Sequence, residues 1–565
     1  MRPLISALRG WDIESISAAG DAAQAAADAI DSALTAMTNA MDYPSHWSGK
    51  THDAVVHRVT DERDHADEIR NVLQQIADEA TDAASALAYA RAFTLREVDF
   101  ARQYGFAVSD TGEVTSDEHP DEKTGISQRR AEEAVTLQAR IHNGLDTIDE
   151  YDIRFGTALE ALRTDLAAMI NGHPEVIAPD GNRRDPDDVV TMLTQMSADE
   201  RRAFLDRLSP QDQRRIMQAD PDTIGNLNGV PFPIRIDANE INIRNAINDE
   251  EHKHTAAGDK RAAVLRDLLR RRSDPLRVPK GTSPDAIPAG LDADDLMVER
   301  QFISFRNTPN GQIVEMIGNI HRNTRNAAVY IPGTGTNLNN SRSNYDSAWN
   351  LAHDSASPVF IYMEGDLPQN LGIEEPARRL FSSIIGDQNS TPHDLSDSAV
   401  NRRFAQEMAP RLVQFGHELD TELGHIAPES KTTYIGHSYG GSVLGSAEQL
   451  GLRADRVVYA SSAGTGIFDG AWNNANPNVE RFSMTAPADP IQIIQDLPGN
   501  PHGSDPDDAP GVTRLATGSY SGQTPEHSGL VAGPGGHGGY WDDPGSTAFR
   551  NLVAVVRGDT PVPAR

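Results

Sequence analysis

The sequence predicts an α/β fold in its C-terminal half, a doubly wound and mostly parallel sheet, preceded by an all-α helical N-terminal region. Three observations carry this. Apolar residues recur at helical spacing as far as residue 170. Beyond residue 296 the pattern changes to short β-type runs separated by helices. One of those runs ends in Gly436-His437-Ser438-Tyr439-Gly440, and a further helix pattern follows at once.

At 565 residues the chain exceeds a single core, so roughly two to four domains are expected. The divisions read from the pattern are a helical hairpin over 1–115, a further helical region over 116–272, a linker over 273–296 and the α/β domain over 297–565. A net charge of −32 repels phosphates and argues against nucleic acid as a partner. No apolar run has the length of a membrane-spanning helix. Cysteine is absent, which excludes disulfides, thiolate metal sites and cysteine catalysis. The first twenty residues lack the apolar core of a secretory signal peptide. The expected location is therefore the cytoplasm, or outside it by a route that needs no such peptide.

The helices come first. Ile30, Leu34, Met37 and Met41 form one stripe, and Ile69, Leu73, Ile76, Ala80, Ala83 and Leu87 a second. A third runs Ile141, Leu145, Ile148, Phe155, Leu159, Leu162, Leu166, Ile170 and stops at Asn171-Gly172. Between the first two, Pro44 and Gly49 break the helix around Trp47. Trp47-Ser48-Gly49 in this setting resembles the WXG helical-hairpin proteins, many of them type VII secretion substrates, over residues 10–105. The resemblance implies a small helical protein partner and that export route. The Tyr-x-x-x-Asp/Glu signal of the mycobacterial system is not met, since Tyr89 is followed by Phe93 and Tyr104 by Val108. A plain bundle with Trp47 in its core is the alternative.

Residues 106–130 read as a polar loop. Ser197 to Glu200 form a capping box, and Ser209-Pro210 places an N-cap before a proline at the first helical position. The stretch 220–229 resembles a calcium loop only superficially. Ile224 falls where a ligand is needed, and Pro231 replaces the terminal Glu. His252 and His254 lack a partner at ligand spacing, so no metal is expected. Arg270-Arg271-Arg272 reads as a solvated helix end.

In the α/β region, strands are expected at 301–305, 312–317, 327–331, 359–363, 432–435, 456–460, 481–485 and 513–517. Helices are expected near 342–354, 400–424, 439–451 and 546–556. The interval 364–400 is long enough for a cap or lid.

A serine hydroxyl becomes a nucleophile when a base takes its proton, and the base works best when a carboxylate fixes its tautomer. Gly-x-Ser-x-Gly between strand and helix is the sharp turn that exposes such a serine, here Ser438. In α/β-hydrolases the acid and then the base follow in chain order. Asp489, in a tight loop after a strand, is the candidate acid, with Asp505, Asp507 and Asp508 as weaker alternatives. His537, among glycines after the last strand, is the candidate base, with His502 and His527 as alternatives. His437 is expected to point away from Ser438. The oxyanion of acyl transfer needs two N–H donors. Tyr439 supplies one, and Thr334, in Pro332-Gly333-Thr334-Gly335-Thr336-Asn337 after a strand, supplies the second. That loop lacks the lysine of a P-loop, and Leu338 breaks a dinucleotide fingerprint, so no cofactor is expected.

Together, Val329-Tyr330-Ile331-Pro332-Gly333-Thr334-Gly335-Thr336, the Ser438 turn, and His537-Gly538-Gly539-Tyr540-Trp541-Asp542 with Asn551 resemble a family of actinobacterial α/β-hydrolases catalogued as a domain of unknown function. Pro221 to Pro231, continuing to Arg235 and Asn239, is similar to that family's helical lead-in, so the resemblance spans roughly 200–560. It implies a triad of Ser438, Asp489 and His537 acting on an ester of lipid or acyl character, by hydrolysis or acyl transfer. Met363-Glu364-Gly365-Asp366 departs from the aromatic residues the family places there, at the substrate pocket.

Overall fold

The structure is a computed structural model that describes residues 2–41, 50–116, 126–171, 175–287, 296–370, 398–468, 471–496, 501–525 and 527–564. It divides into two compact units, Met1–Met192 with Arg207–Asp220, and Leu193–Asp206 with Pro221–Arg565.

Long helices, Glu14–Met41, Lys50–Gln103 and Ile126–Asn171, dominate the first unit. Their apolar stripes meet in a core that includes Leu87, Val98, Ile141, Leu145 and Ile148. The third stripe ends before Ile170, which is 67% exposed. Residues 106–116, expected to be loop, form a short antiparallel hairpin, Phe106–Val108 with Val114–Ser116. Phe106 and Val114 are buried in the helical core, and that tertiary burial outweighs the polar local sequence. The Trp47-Ser48-Gly49 bend lies outside the described residues.

The second unit is built on an eight-stranded sheet. Its strands are β1 (Gln301–Arg306), β2 (Gln312–Ile317), β3 (Asn326–Ile331), β4 (Val359–Met363), β5 (Lys431–His437), β6 (Arg456–Ala460), β7 (Glu480–Met484) and β8 (Val512–Arg514). They lie in the order β8-β7-β6-β5-β3-β4-β2-β1. Only β2 runs against its neighbours, pairing antiparallel with β1 and β4; the pairings from β4 through β8 are parallel. Such a sheet is covered on both faces, which explains its almost continuous apolar runs. In β3 the side chains alternate: Ala328 and Tyr330 enter one core, Ala327, Val329 and Ile331 the other. Helices α1 (Arg342–Ser355) and α5 (Thr547–Arg557) cover the first face. Helices α2 (Arg403–Ile426) and α3 (Tyr439–Gln449) cover the second; α4 (Ile491–Gln495) follows β7. Every expected strand and helix of this region is present within a few residues.

The helices before the sheet buttress it. The capping box forms as Ser197 N–H donates to Glu200 at 2.9 Å and Glu200 N–H to Ser197 Oγ at 3.3 Å. Asn239 Nδ2 bridges the carbonyls of Gly225 and Phe302, and Arg235, 1% exposed, ion-pairs with Glu418 at 2.6 Å. Residues 273–287, read as part of a linker, are packed instead. Trp349 Nε1 donates to Ser273 O at 2.7 Å, Ser273 N–H donates to Pro284 O at 2.9 Å, and Val278 joins the sheet's core. Pro, Asp and Gly signal turns there without signalling exposure.

Candidate active site

The order of strands fixes where the chemistry sits. From β3 the chain passes outward to β4, then returns across β3 to β5, so the loops leaving β3 and β5 diverge at a switch point. Register pairs Gly436 with Ile331, which sets Ser438 beside Gly333 two residues further along both chains. Ser438 has φ 55° and ψ −121°, outside the regions open to an ordinary side chain. Its backbone is pinned by Ser438 N–H to Ala460 O (3.1 Å) and Ala463 N–H to Ser438 O (3.0 Å). A Cβ at Gly436 would collide with the Gly440 carbonyl, and one at Gly440 with the Ile331 carbonyl. The two flanking glycines are thus required by close backbone approach. Tyr439 opens α3, where a backbone N–H has no acceptor within its own helix.

After β7 the chain makes a tight turn in which Ala488 takes φ 58°, and Asp489 N–H donates to Ala486 O at 3.1 Å. Asp489 Oδ1 accepts from Ile491 N–H at 2.9 Å and from His537 Nδ1 at 3.0 Å, while Oδ2 lies 3.2 Å from the same nitrogen. Both residues are buried. Since a carboxylate only accepts, Nδ1 carries the proton facing it, which leaves Nε2 as the ring nitrogen available to act as a base. His537 ends a 3-10 turn, Pro534–His537, and Gly533 N–H to Pro487 O (2.8 Å) ties its loop to the acid's loop.

His437, expected to point away from Ser438, lines the same cavity as that serine. Its Nε2 donates to the carbonyl of His537 at 2.9 Å, and the two rings lie 5.0 Å apart. Burial, followed by repulsion from a charged His537, pushes its pKa down to about 4, so it stays neutral near neutral pH. Sequence reading missed this bridge because it depends on a contact between residues a hundred positions apart.

Ser438, His437, His537 and Thr334 line one cavity of about 520 Å³, walled by the loop after β3, the start of α1 and residues 534–542. The glycine-rich loop is held by Gly335 N–H to Pro368 O (2.8 Å) and Gln369 Nε2 to Thr336 O (2.9 Å). A Cβ at Gly333 would strike Ser438, so the loop approaches the serine as closely as backbone can. Of the interval 364–400, long enough for a cap or lid, residues 371–397 lie outside the described residues.

The alternative residues sit elsewhere. His502 is buried against Ser442 Oγ at 3.1 Å, and its pKa is pushed down to about 4 by burial. His527 lies beside Tyr520, with ring centroids 5.4 Å apart. Asp507 pairs with Arg514 at 3.2 Å, and Asp505 Oδ1 accepts from Asp507 N–H at 2.8 Å. Of the carboxylates considered, Asp489 is the one bonded to His537.

Residues 308–498 match the family model described as alpha/beta hydrolase. The uncharacterized proteins MT2140 and Rv2079, from two strains of Mycobacterium tuberculosis, are each 24% identical to the chain over 304 residues. That match covers 51% of this chain and 43% of those proteins, so the chain spans under half of their length. Among solved structures, an arylesterase is 10% identical, with 56% of this chain and 96% of that chain covered and a TM-score of 0.25. An esterase of Pyrobaculum calidifontis is 14% identical, with 38% and 75% covered and a TM-score of 0.21. Carboxyl esterase 2 of Tuber melanosporum is 12% identical, with 39% and 77% covered and a TM-score of 0.20. Superpositions at those scores are partial, and the fold rests on this chain's own strand order. With that order and the family match, the C-terminal domain has the α/β-hydrolase fold.

Proposed function

We propose that this protein is a hydrolase that cleaves an ester through an acyl-enzyme, with Ser438 as nucleophile, His537 as base and Asp489 orienting His537. The observation that carries the reading is the buried Asp489–His537 pair, 3.0 Å apart, opening onto the same cavity as a serine with strained backbone. Ser438 Oγ attacks the ester carbon while its proton passes to His537 Nε2. The amides of Tyr439 and Thr334 hold the oxyanion. The C–O bond then breaks, the leaving alkoxide takes the proton from His537, and the acyl group remains on Ser438. Water, deprotonated by His537, attacks the acyl carbon; the bond to Ser438 Oγ breaks, Oγ takes the proton back from His537, and the acid is freed. If another alcohol replaces water, the same groups perform acyl transfer.

Hydrolysis of p-nitrophenyl acetate is the test. Ser438→Ala is expected to lower kcat by at least about a thousandfold with the fold intact by circular dichroism; equal turnover by that variant would overturn the assignment. For the N-terminal unit, the long paired helices support a role in binding a small helical protein in the manner of WXG hairpins. Co-purification of such a partner with the full chain, and its loss on Trp47→Ala, is the expected outcome.

A further inference from the structure

Pockets for acyl chains are lined by aliphatic side chains, since each methylene gains only when it leaves water for an apolar wall. The cavity over Ser438 is built differently. Among the described residues lining it there is no Leu, Ile, Val, Met or Phe. The start of α1 contributes Ser343, Asn344 and Ser347, at i, i+1 and i+4, to the lining, together with Thr336 and Asp542. The aromatic members, Tyr330 and Trp541, are buried at 2% and 3% exposure and pack on each other at a tilt of 46° with centroids 4.8 Å apart, so little of their surface is offered.

The wall's hydrogen-bonding capacity has a definite pattern. Tyr330 O–H donates to Asn344 Oδ1 at 3.0 Å, which fixes the amide and leaves Nδ2 as its donor group. Asp542 offers only acceptor oxygens. Ser347 O–H donates to Ser343 O at 2.9 Å, leaving its Oγ able to accept. A donor, an acceptor and hydroxyls within one 520 Å³ space suit a ligand whose groups both donate and accept. Charge narrows the choice. No Lys or Arg is among the described lining residues, and Arg342, on the same helix, is held by Asp346 at 2.9 Å and by Asp285. With a net charge of −32 on the chain and no cation among the described lining residues, the site disfavours a phosphate or carboxylate substituent on the substrate.

We infer that the site takes a neutral polyhydroxylated ester, such as an acylated sugar or polyol, and that Asn344 and Asp542 set this specificity. The inference rests on the ester-hydrolase reading and names its substrate class in place of a long-chain lipid.

The test compares kcat/KM of the full chain on an acetylated glucose, p-nitrophenyl palmitate and acetylcholine, after a fluorophosphonate probe has established that Ser438 reacts. The acetylated sugar is expected to exceed the palmitate ester by more than about tenfold. Asp542→Ala and Asn344→Leu are each expected to lower the preference for acetylated sugar over p-nitrophenyl acetate by about three- to tenfold, the worth of one hydrogen bond. Asp542 is exposed, so that variant is expected to fold even if the other does not. Preference for the palmitate or the choline ester, no turnover of the sugar ester by a reactive Ser438, or an unchanged preference in Asp542→Ala overturns the inference. A wild type whose Ser438 resists the probe instead overturns the ester-hydrolase reading.

Discussion

At the scale of single residues, His437 separates what the pentapeptide shows from what the fold adds. Gly436 and Gly440 were legible in sequence because steric exclusion at a tight turn leaves one residue type. His437 was not, since its partner is the carbonyl of a residue a hundred positions away. Its N–H holds the backbone of His537, whose ring lines the same cavity as Ser438, which makes it a positioning residue in the proposed mechanism. His437→Leu removes the donor and is expected to lower kcat about tenfold with little change in KM, while His437→Gln, which can still donate, recovers most of the loss. Steady-state kinetics on one ester distinguishes this from a packing defect, which the glutamine would not repair.

At the scale of elements, buried polar contacts help to anchor the segments around the site. His502 joins the elbow helix α3 to the segment before α2, with Ser442 Oγ 3.1 Å from Nδ1 and the Ala399 carbonyl accepting from its ring. Burial lowers its pKa from 6.5 to about 4. The unfolded chain takes up that proton near pH 6.5, whereas the folded protein does so only near pH 4. Stability from this group is therefore full above pH 6.5 and is lost as pH falls from 6.5 towards 4. His437 acts in the same direction. Urea unfolding at several pH values is expected to show that slope, and His502→Gln to reduce it by about one proton.

Strands and helices of the α/β region were legible because period and length differ sharply between a buried parallel strand and an amphipathic helix. The hairpin at 106–116 and the packed stretch 273–287 were not. In both, a few buried residues (Phe106 and Val114, Ser273 and Val278) outweigh a polar, turn-rich sequence, and that burial exists only in the folded molecule.

At the scale of the whole molecule, the C-terminal domain extends upstream of its sheet. Arg235, on the helix Phe232–His252, and Glu418, on α2, form a buried ion pair between segments 183 residues apart. Removing one partner leaves a charge without water or counter-ion. Glu418→Leu is expected to cost about 3–5 kcal/mol, against far less for the double variant Arg235→Met/Glu418→Leu, as measured by denaturant unfolding. The charge of −32 and the long helical unit were legible from the sequence at once; the bond geometry joining Asp489 to His537 was not, because chain order suggests a triad and only the fold can bring its members together.

The central claim is that Ser438 is a nucleophile activated by the Asp489–His537 pair. It is tested most directly by peptide mapping after reaction with a fluorophosphonate. The account predicts a single phosphonyl adduct on the peptide containing Ser438, no adduct in Ser438→Ala, and labelling slowed by at least about a hundredfold in His537→Ala. An adduct elsewhere, or labelling of Ser438 at the same rate without His537, would contradict it.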